Sequence, residues 1–117
     1  MIVYRIENDK HIGPYIGSNF NSKLISELLR NNGNYRPSPP LIYFENKNNV
    51  CGFLSIRLYK QWFDKMFDLL QENMFFLKTF DVQDNGVVYV DKYQVVFDRA
   101  KSFFIQQEFP TTAQGIE

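Results

Sequence analysis

The chain has 117 residues, and its 13 basic and 13 acidic residues give a formal net charge of zero. Zero net charge argues against nonspecific nucleic-acid binding, which needs excess positive charge to displace counterions from phosphates. One cysteine and one histidine exclude an intrachain disulfide and, within one chain, the nitrogen and sulfur ligand sets common for zinc. No run of about 18 apolar residues is present to span a membrane. We therefore expect a soluble protein of a reducing cytoplasm, without a structural metal.

Aromatic residues make up 17% of the chain, including 12 phenylalanines. Each buried ring removes about 150–250 Å² from water, so a few rings dominate a core of this size. We expect a single domain over residues 1–109 and a flexible tail over residues 110–117. A domain this small cannot bury every ring, so some rings are expected on a partner surface. The neutral charge is also compatible with a homodimer.

The first part of the chain alternates between strand and helix patterns. Residues 1–7 have the period of two that is typical of a strand. Ser22 is placed to cap a helix of about three turns that ends near Gly33. Residues 34–40 contain three prolines in four positions, which predicts an extended loop, and residues 41–44 predict a brief strand.

The longest helix pattern lies in the middle of the chain. Residues 50–54 are apolar and predict a short buried strand, and Ser55 is a good N-cap for the segment that follows. Large apolar side chains then recur at spacings of three and four as far as Leu70. This spacing predicts one helix whose apolar stripe faces the core.

The remainder of the chain is typical of β structure. Residues 75–82, 87–90 and 93–97 predict strands, with an Asp-Asn-Gly turn at residues 84–86. Residues 100–109 are compatible with a last strand or a short helix. The element order predicts an α+β fold, a small mixed or antiparallel sheet with two main helices packed on it.

Cys51 and Arg5 could take part in chemistry or ligand binding, but each also has an ordinary structural explanation. Cys51 lies in an apolar strand, where a cysteine is usually an inert small hydrophobe. Arg5 lies in the middle of the first predicted strand between apolar neighbours. Its side chain either occupies a solvated face, which the sequence favours, or enters a cleft and binds an anionic or polar ligand through its guanidinium.

A set of sequence blocks carries a resemblance to a known family. The blocks are residues 3–7 with 13–15, residues 36–39, residues 51–55 with Trp62 and Phe63, and residues 94–97. With them, the chain resembles a family of small tailed-bacteriophage proteins over about residues 1–98. The resemblance implies an accessory protein made in the cytoplasm of an infected bacterium. Such proteins often act on host machinery or host defences, including as anti-CRISPR-type inhibitors.

The favoured hypothesis is therefore a protein that binds and inhibits a host or host-defence protein without a cofactor. Aromatic and arginine side chains dominate interface energetics, and prolines order a loop before it binds. The alternative is that the proline loop only connects two elements. The surface predicted to bind the partner consists of Tyr15, Phe20, Tyr35, Arg36 and Pro37.

A weaker similarity relates the layout to the ADP-ribosyltransferase fold. The resemblance implies an NAD-dependent enzyme that modifies a host target, with its catalytic cleft formed by Arg5, Ser55 and Gln94. Arg5 would grip the pyrophosphate or ribose of NAD, Ser55 would steady the nicotinamide, and Gln94 would bind a ribose hydroxyl. Gln94 is uncharged where such enzymes usually carry a glutamate, and Ser55 would equally serve as a helix cap.

Overall fold

The computed structural model describes residues 1–14 and 41–110. Within these ranges six strands form two antiparallel sheets of three strands each, with two short α-helices. This arrangement confirms the predicted α+β class. The first sheet has the strand order β1 (Ile2–Glu7), β3 (Phe76–Val82), β6 (Ser102–Glu108). The second sheet has the order β2 (Asn49–Gly52), β5 (Val95–Asp98), β4 (Val87–Val90). The two helices are α1 (Ile56–Trp62) and α2 (Phe67–Glu72).

The first sheet is covered on one face by the two helices. Ile6 of β1 and Leu77 of β3 join a buried cluster with the apolar side chains of the helical segment. The predicted apolar stripe is thus confirmed as a core face. Its buried members are Tyr59, Phe63, Met66, Phe67 and Leu70, with Trp62 partly buried against them.

The second sheet packs on the opposite face of the first. Val3 and Phe80 of the first sheet meet Val95 and Phe97 of the second in a separate buried cluster, and the rings of Phe80 and Phe97 lie 5.8 Å apart. Successive strand residues point to opposite faces. The first sheet therefore contributes one set of side chains to each of two cores.

Within the described ranges, one isolated bridge links the two sheets along their edges. The amide of Tyr4 in β1 donates to the carbonyl of Phe53 at 2.8 Å, and the amide of Phe53 donates back to the carbonyl of Tyr4 at 2.7 Å. Gly52 lies beside this bridge, where a Cβ would stand 2.5 Å from Val3 Cγ1. The close approach of β1 and β2 therefore depends on a glycine at this position.

Most of the predicted strands are confirmed. Within residues 100–109, Ser102–Glu108 forms a strand, and the residues before it belong to a 3₁₀ turn at Arg99–Lys101. The Asp-Asn-Gly segment forms a 3₁₀ turn at Asp84–Gly86. The strand predicted over residues 41–44 is wrong, since Leu41–Glu45 is a 3₁₀ helix. The Asn49 side chain donates to the carbonyls of Ile42 and Tyr43 at 3.2 and 3.3 Å, which helps hold this segment in its turn.

The predicted single helix is two helices. The amide of Phe63 bonds to the carbonyl of Tyr59 and ends α1, and Lys65 then adopts a left-handed conformation with φ of 67°. Trp62, Phe63 and Asp64 have modest helix propensities, so an interruption here costs little. The apolar spacing predicts which side chains are buried, but periodicity alone does not reveal a break between two helices that share one apolar stripe.

The predicted cap at Ser55 is confirmed, since its hydroxyl accepts a hydrogen bond from the amide of Leu58 at 3.1 Å. We expect Ser55→Ala to lower the free energy of unfolding by about 1 kcal/mol, because an amide at the start of α1 loses its partner. Urea denaturation measures the change. Ser55→Thr keeps the hydroxyl and should retain most of the stability; equal losses in both variants would contradict the capping role.

The predicted helix over residues 22–33, the proline loop at residues 34–40 and the tail beyond Pro110 lie outside the described residues. They remain predictions. Neither helix in the described ranges has the length and apolarity that crossing a bilayer requires.

Candidate functional site

Three cations converge on one buried carboxylate at the end of β1. Glu7 has no exposed surface. Its Oε2 lies 2.7 Å from Nε of Arg5, and its Oε1 lies 2.7 Å from NH2 of Arg99 and 3.1 Å from Nζ of Lys78. We call these four residues the Glu7 cluster.

The fold explains how these side chains meet. Arg5 and Glu7 are two residues apart on β1, so they point to the same face of the sheet. Lys78 is the register partner of Arg5 on β3, and Arg99 directly follows β5 in a short 3₁₀ turn. The Arg99 guanidinium also stacks 5.1 Å from the centre of the Phe80 ring. The cluster thus lies where the two sheets face each other.

The cluster keeps Glu7 ionised. Burial by itself would raise the pKa of Glu7, but the hydrogen bond from Arg99 and the charge of Arg5 outweigh burial and lower it to about 2. Hydrogen bonds and opposite charges favour the ionised form of a carboxyl group in this way. One negative charge therefore faces three positive charges, which leaves an excess of two.

The solvated-face position favoured for Arg5 is wrong. Only 7% of Arg5 is exposed, and its NH1 donates to the carbonyl of Cys51 at 2.8 Å. A Cβ at Gly13 would lie 3.3 Å from its NH2, so the loop after β1 packs closely over the guanidinium. Glu7 on the same strand face supplies the opposite charge that offsets the desolvation cost of burying Arg5.

The three residues nominated for an NAD cleft have separate contacts in the described structure. Arg5 bonds to Glu7 and Cys51, and Ser55 bonds to the first turn of α1. Gln94 is buried, and its backbone N–H donates a hydrogen bond to the Asp91 carboxylate at 2.9 Å in the adjacent turn. Among the described residues, its Nε2 has no hydrogen-bond partner. No described hydrogen bond joins any two of the three, and their catalytic roles remain a hypothesis.

The environment of Cys51 fits an unreactive thiol. Burial raises its pKa to about 11, so the thiol is protonated at neutral pH, whereas nucleophilic cysteines are thiolates. Across residues 1–14 and 41–110, no group of histidine, cysteine and carboxylate side chains is arranged to hold a metal ion.

The last strand carries an exposed apolar surface. Phe103, Phe104 and Ile105 are 61%, 56% and 50% exposed, and we call them the β6 patch. Among the described strands, β6 pairs only with β3, so it forms one edge of the first sheet. The register shifts between Thr79 and Phe80 of β3, which leaves Ile105 without a register partner. The patch therefore offers apolar side chains at an irregular sheet edge.

The predicted partner surface lies outside the described residues. Tyr15, Phe20, Tyr35, Arg36 and Pro37 all fall between residues 15 and 40, so their role in partner binding stays a prediction.

Sequence reasoning missed both features found here. A signal for the Glu7 cluster was the pair of opposite charges on Arg5 and Glu7, which lie two residues apart in an otherwise apolar strand. A signal for the β6 patch was the consecutive run of three large apolar residues in place of alternation.

Comparison with known proteins decides the family. The family model described as "Bacteriophage T4 Y00F protein" matches residues 1–111. The chain belongs to this family. It is thus a phage protein, as its sequence blocks predicted, and the family points to a phage-encoded accessory protein. No curated protein and no solved structure gives a significant match, so the resemblance to the ADP-ribosyltransferase fold is not supported.

Proposed function

We propose that this accessory protein acts in the infected bacterium by binding a bacterial protein through the β6 patch. Binding of this kind would inhibit a host protein or a host-defence protein, for example as an anti-CRISPR-type inhibitor. The observation that carries the proposal is the exposure of three consecutive large apolar side chains on an edge strand. Large apolar side chains that are exposed together on one structural element are typical of protein interaction sites.

The composition of the patch favours a protein partner with an apolar surface. Two phenylalanines and an isoleucine carry no charge, and Gln106 and Gln107 follow them with neutral polar side chains. Fully burying an apolar side chain of this size stabilises a complex by roughly 1.5–3 kcal/mol before the costs of association. A few such side chains dominate the binding energy of a typical interface.

The geometry favours recognition by side chains over a long strand ladder. Phe104 is the register partner of Phe80 and Phe103 that of Asp81, so the two rings point to opposite faces of the sheet. The bulge at Ile105 interrupts the regular backbone that an added strand would need. A partner that encloses the edge of the sheet would contact all three side chains.

The double variant Phe103→Ser, Ile105→Ser tests the proposal. A partner captured with the wild-type protein from bacterial lysate is identified, purified and titrated against both proteins by calorimetry. We expect affinity to fall by a factor of about 30 or more, corresponding to at least 2 kcal/mol for lost interface anchors. Phe104 is left unchanged because its ring lies 6.1 Å from that of Phe80 and contributes to packing.

Met74→Gln is the matched control, since Met74 is a large apolar side chain, 56% exposed, outside the patch. It should leave affinity unchanged, and equal losses in both variants would contradict the proposal. If Tyr35→Ala abolishes binding and the double variant does not, the contact lies on the surface predicted from the sequence. If instead the wild-type protein is a dimer and the double variant is a monomer, the patch binds a second copy of the chain.

A further inference from the structure

The Glu7 cluster carries more positive charge than its one carboxylate neutralises. Arg5, Lys78 and Arg99 contribute three positive charges and Glu7 one negative charge. The side chains of Arg5 and Lys78 are 8% and 7% exposed, so solvent screens them poorly. Each cation contacts Glu7, but one carboxylate cannot neutralise three cations, and a bound anion would offset the remaining positive charge.

The cluster reaches the surface at Arg99. This side chain is 25% exposed, whereas Glu7 beneath it has no exposed surface. Arg99 uses Nε and NH2 on the two Glu7 oxygens. A guanidinium has five N–H donors arranged for bidentate contact with oxyanions. Among the described residues, NH1 of Arg99 has no hydrogen-bond partner, so its two N–H donors remain after the contacts with Glu7 are made.

The loop after β1 packs against the Glu7 cluster, since its Asn8 carbonyl accepts a hydrogen bond from Lys78 Nζ at 3.2 Å. His11 is exposed and is held in a left-handed conformation, with its amide donating to the carbonyl of Asn8 at 3.0 Å. Burial and then the charges of Arg99, Lys78 and Arg5 lower the pKa of His11, while Glu7 acts in the opposite sense. Three of the four charged groups that act on His11 are cations, in agreement with the positive charge of the cluster.

We propose that the Arg99 side of the Glu7 cluster binds a tetrahedral oxyanion of the phosphate class. Two negative charges on the anion match the excess of two on the cluster. Arg99 supplies directed hydrogen bonds, and Arg5 and Lys78 supply charge from the interior. The site uses none of the β6 patch residues, so it is independent of the proposed function.

Titration of the ¹⁵N-labelled full chain with inorganic phosphate tests the site, with sodium chloride at equal ionic strength as the reference. We expect saturable shifts of the amide signals around Arg99 and His11 with phosphate and none with chloride. Arg99→Gln should weaken phosphate binding by about tenfold or more, the effect of losing a charged bidentate donor. Lys101→Gln removes the same charge from an exposed neighbour in the same turn and should leave binding unchanged.

Circular dichroism first confirms that each variant is folded, and Arg99→Lys replaces Arg99→Gln if the latter unfolds, with weaker binding again expected. Adenosine monophosphate is titrated in parallel. Tighter binding of the monoester assigns the ligand to phosphorylated small molecules, and equal binding assigns it to free phosphate. The proposal is overturned if phosphate and chloride give the same shifts, or if Lys101→Gln weakens binding as much as the Arg99 variant.

Discussion

Glu7→Gln is expected to lower the free energy of unfolding at neutral pH by about 3–5 kcal/mol, the cost of removing one partner from a buried charge network. The amide occupies almost the same volume, so the loss would come from electrostatics. Arg5 and Lys78 would remain buried without a counter-charge. Chemical denaturation of the wild type and the variant at pH 7 measures the difference.

The same variant should change the response to acid. The pKa of Glu7 is lowered from 4.5 to about 2 in the folded state, so its ionised form contributes stability above pH 4.5. That contribution, about 3 kcal/mol, is lost as the pH falls from about 4.5 to about 2. The stability gap between wild type and Glu7→Gln should therefore narrow over this interval.

Asp81→Asn is the matched control for both measurements. Asp81 is more than half exposed and pairs with the amino terminus at 3.2 Å, so its removal should cost no more than about 1 kcal/mol. If Glu7→Gln cost no more than Asp81→Asn, or if the gap stayed constant down to pH 2, the cluster would not hold Glu7 ionised.

Gly52→Ala is expected to destabilise the protein by about 3 kcal/mol, at the upper end of the usual cost of overpacking. The added Cβ would lie 2.5 Å from Val3 Cγ1 and 2.8 Å from the carbonyl oxygen of Tyr4. The second atom belongs to the backbone and accepts the hydrogen bond from Phe53 that joins the sheets. Both contacted atoms belong to residues of β1, so making room for the added Cβ would move β1 away from β2.

Thermal and urea denaturation measure the effect, with Gly13→Ala as a comparison. At Gly13 the atom nearest to the added Cβ is NH2 of Arg5 at 3.3 Å, a longer distance than either contact at Gly52, so a smaller loss of stability is expected. Adding Val3→Ala to Gly52→Ala relieves one of the two clashes. If Gly52→Ala alone proved neutral, the bridge between the sheets would not need a glycine.

Local patterns predicted most of the described strands because alternation and turn residues act over a few positions. They did not predict how the strands are divided between two sheets. β3 and β4 are separated only by residues 83–86, yet they belong to different sheets. Strand pairing depends on contacts between distant segments, such as β1 with β3, which a single sequence does not report.

The same limit applies to the candidate site. Arg5 and Glu7 are close enough in sequence for their pairing on one strand face to be inferred. Lys78 and Arg99 reach them only through the pairing of β1 with β3 and the packing of the two sheets. The sequence of residues 100–109 is compatible with a strand, but the exposure of residues 103–105 follows from an edge position, which no local pattern encodes.

Site-specific photo-crosslinking most directly tests whether the β6 patch binds a bacterial protein. A photoreactive phenylalanine analogue is placed at Phe103 or, as the control, at Met74, and the protein is irradiated inside phage-infected bacteria. We predict one bacterial protein crosslinked from position 103 and not from position 74. Crosslinks from position 103 that involve only a second copy of the chain, or none at all, would contradict the proposed function.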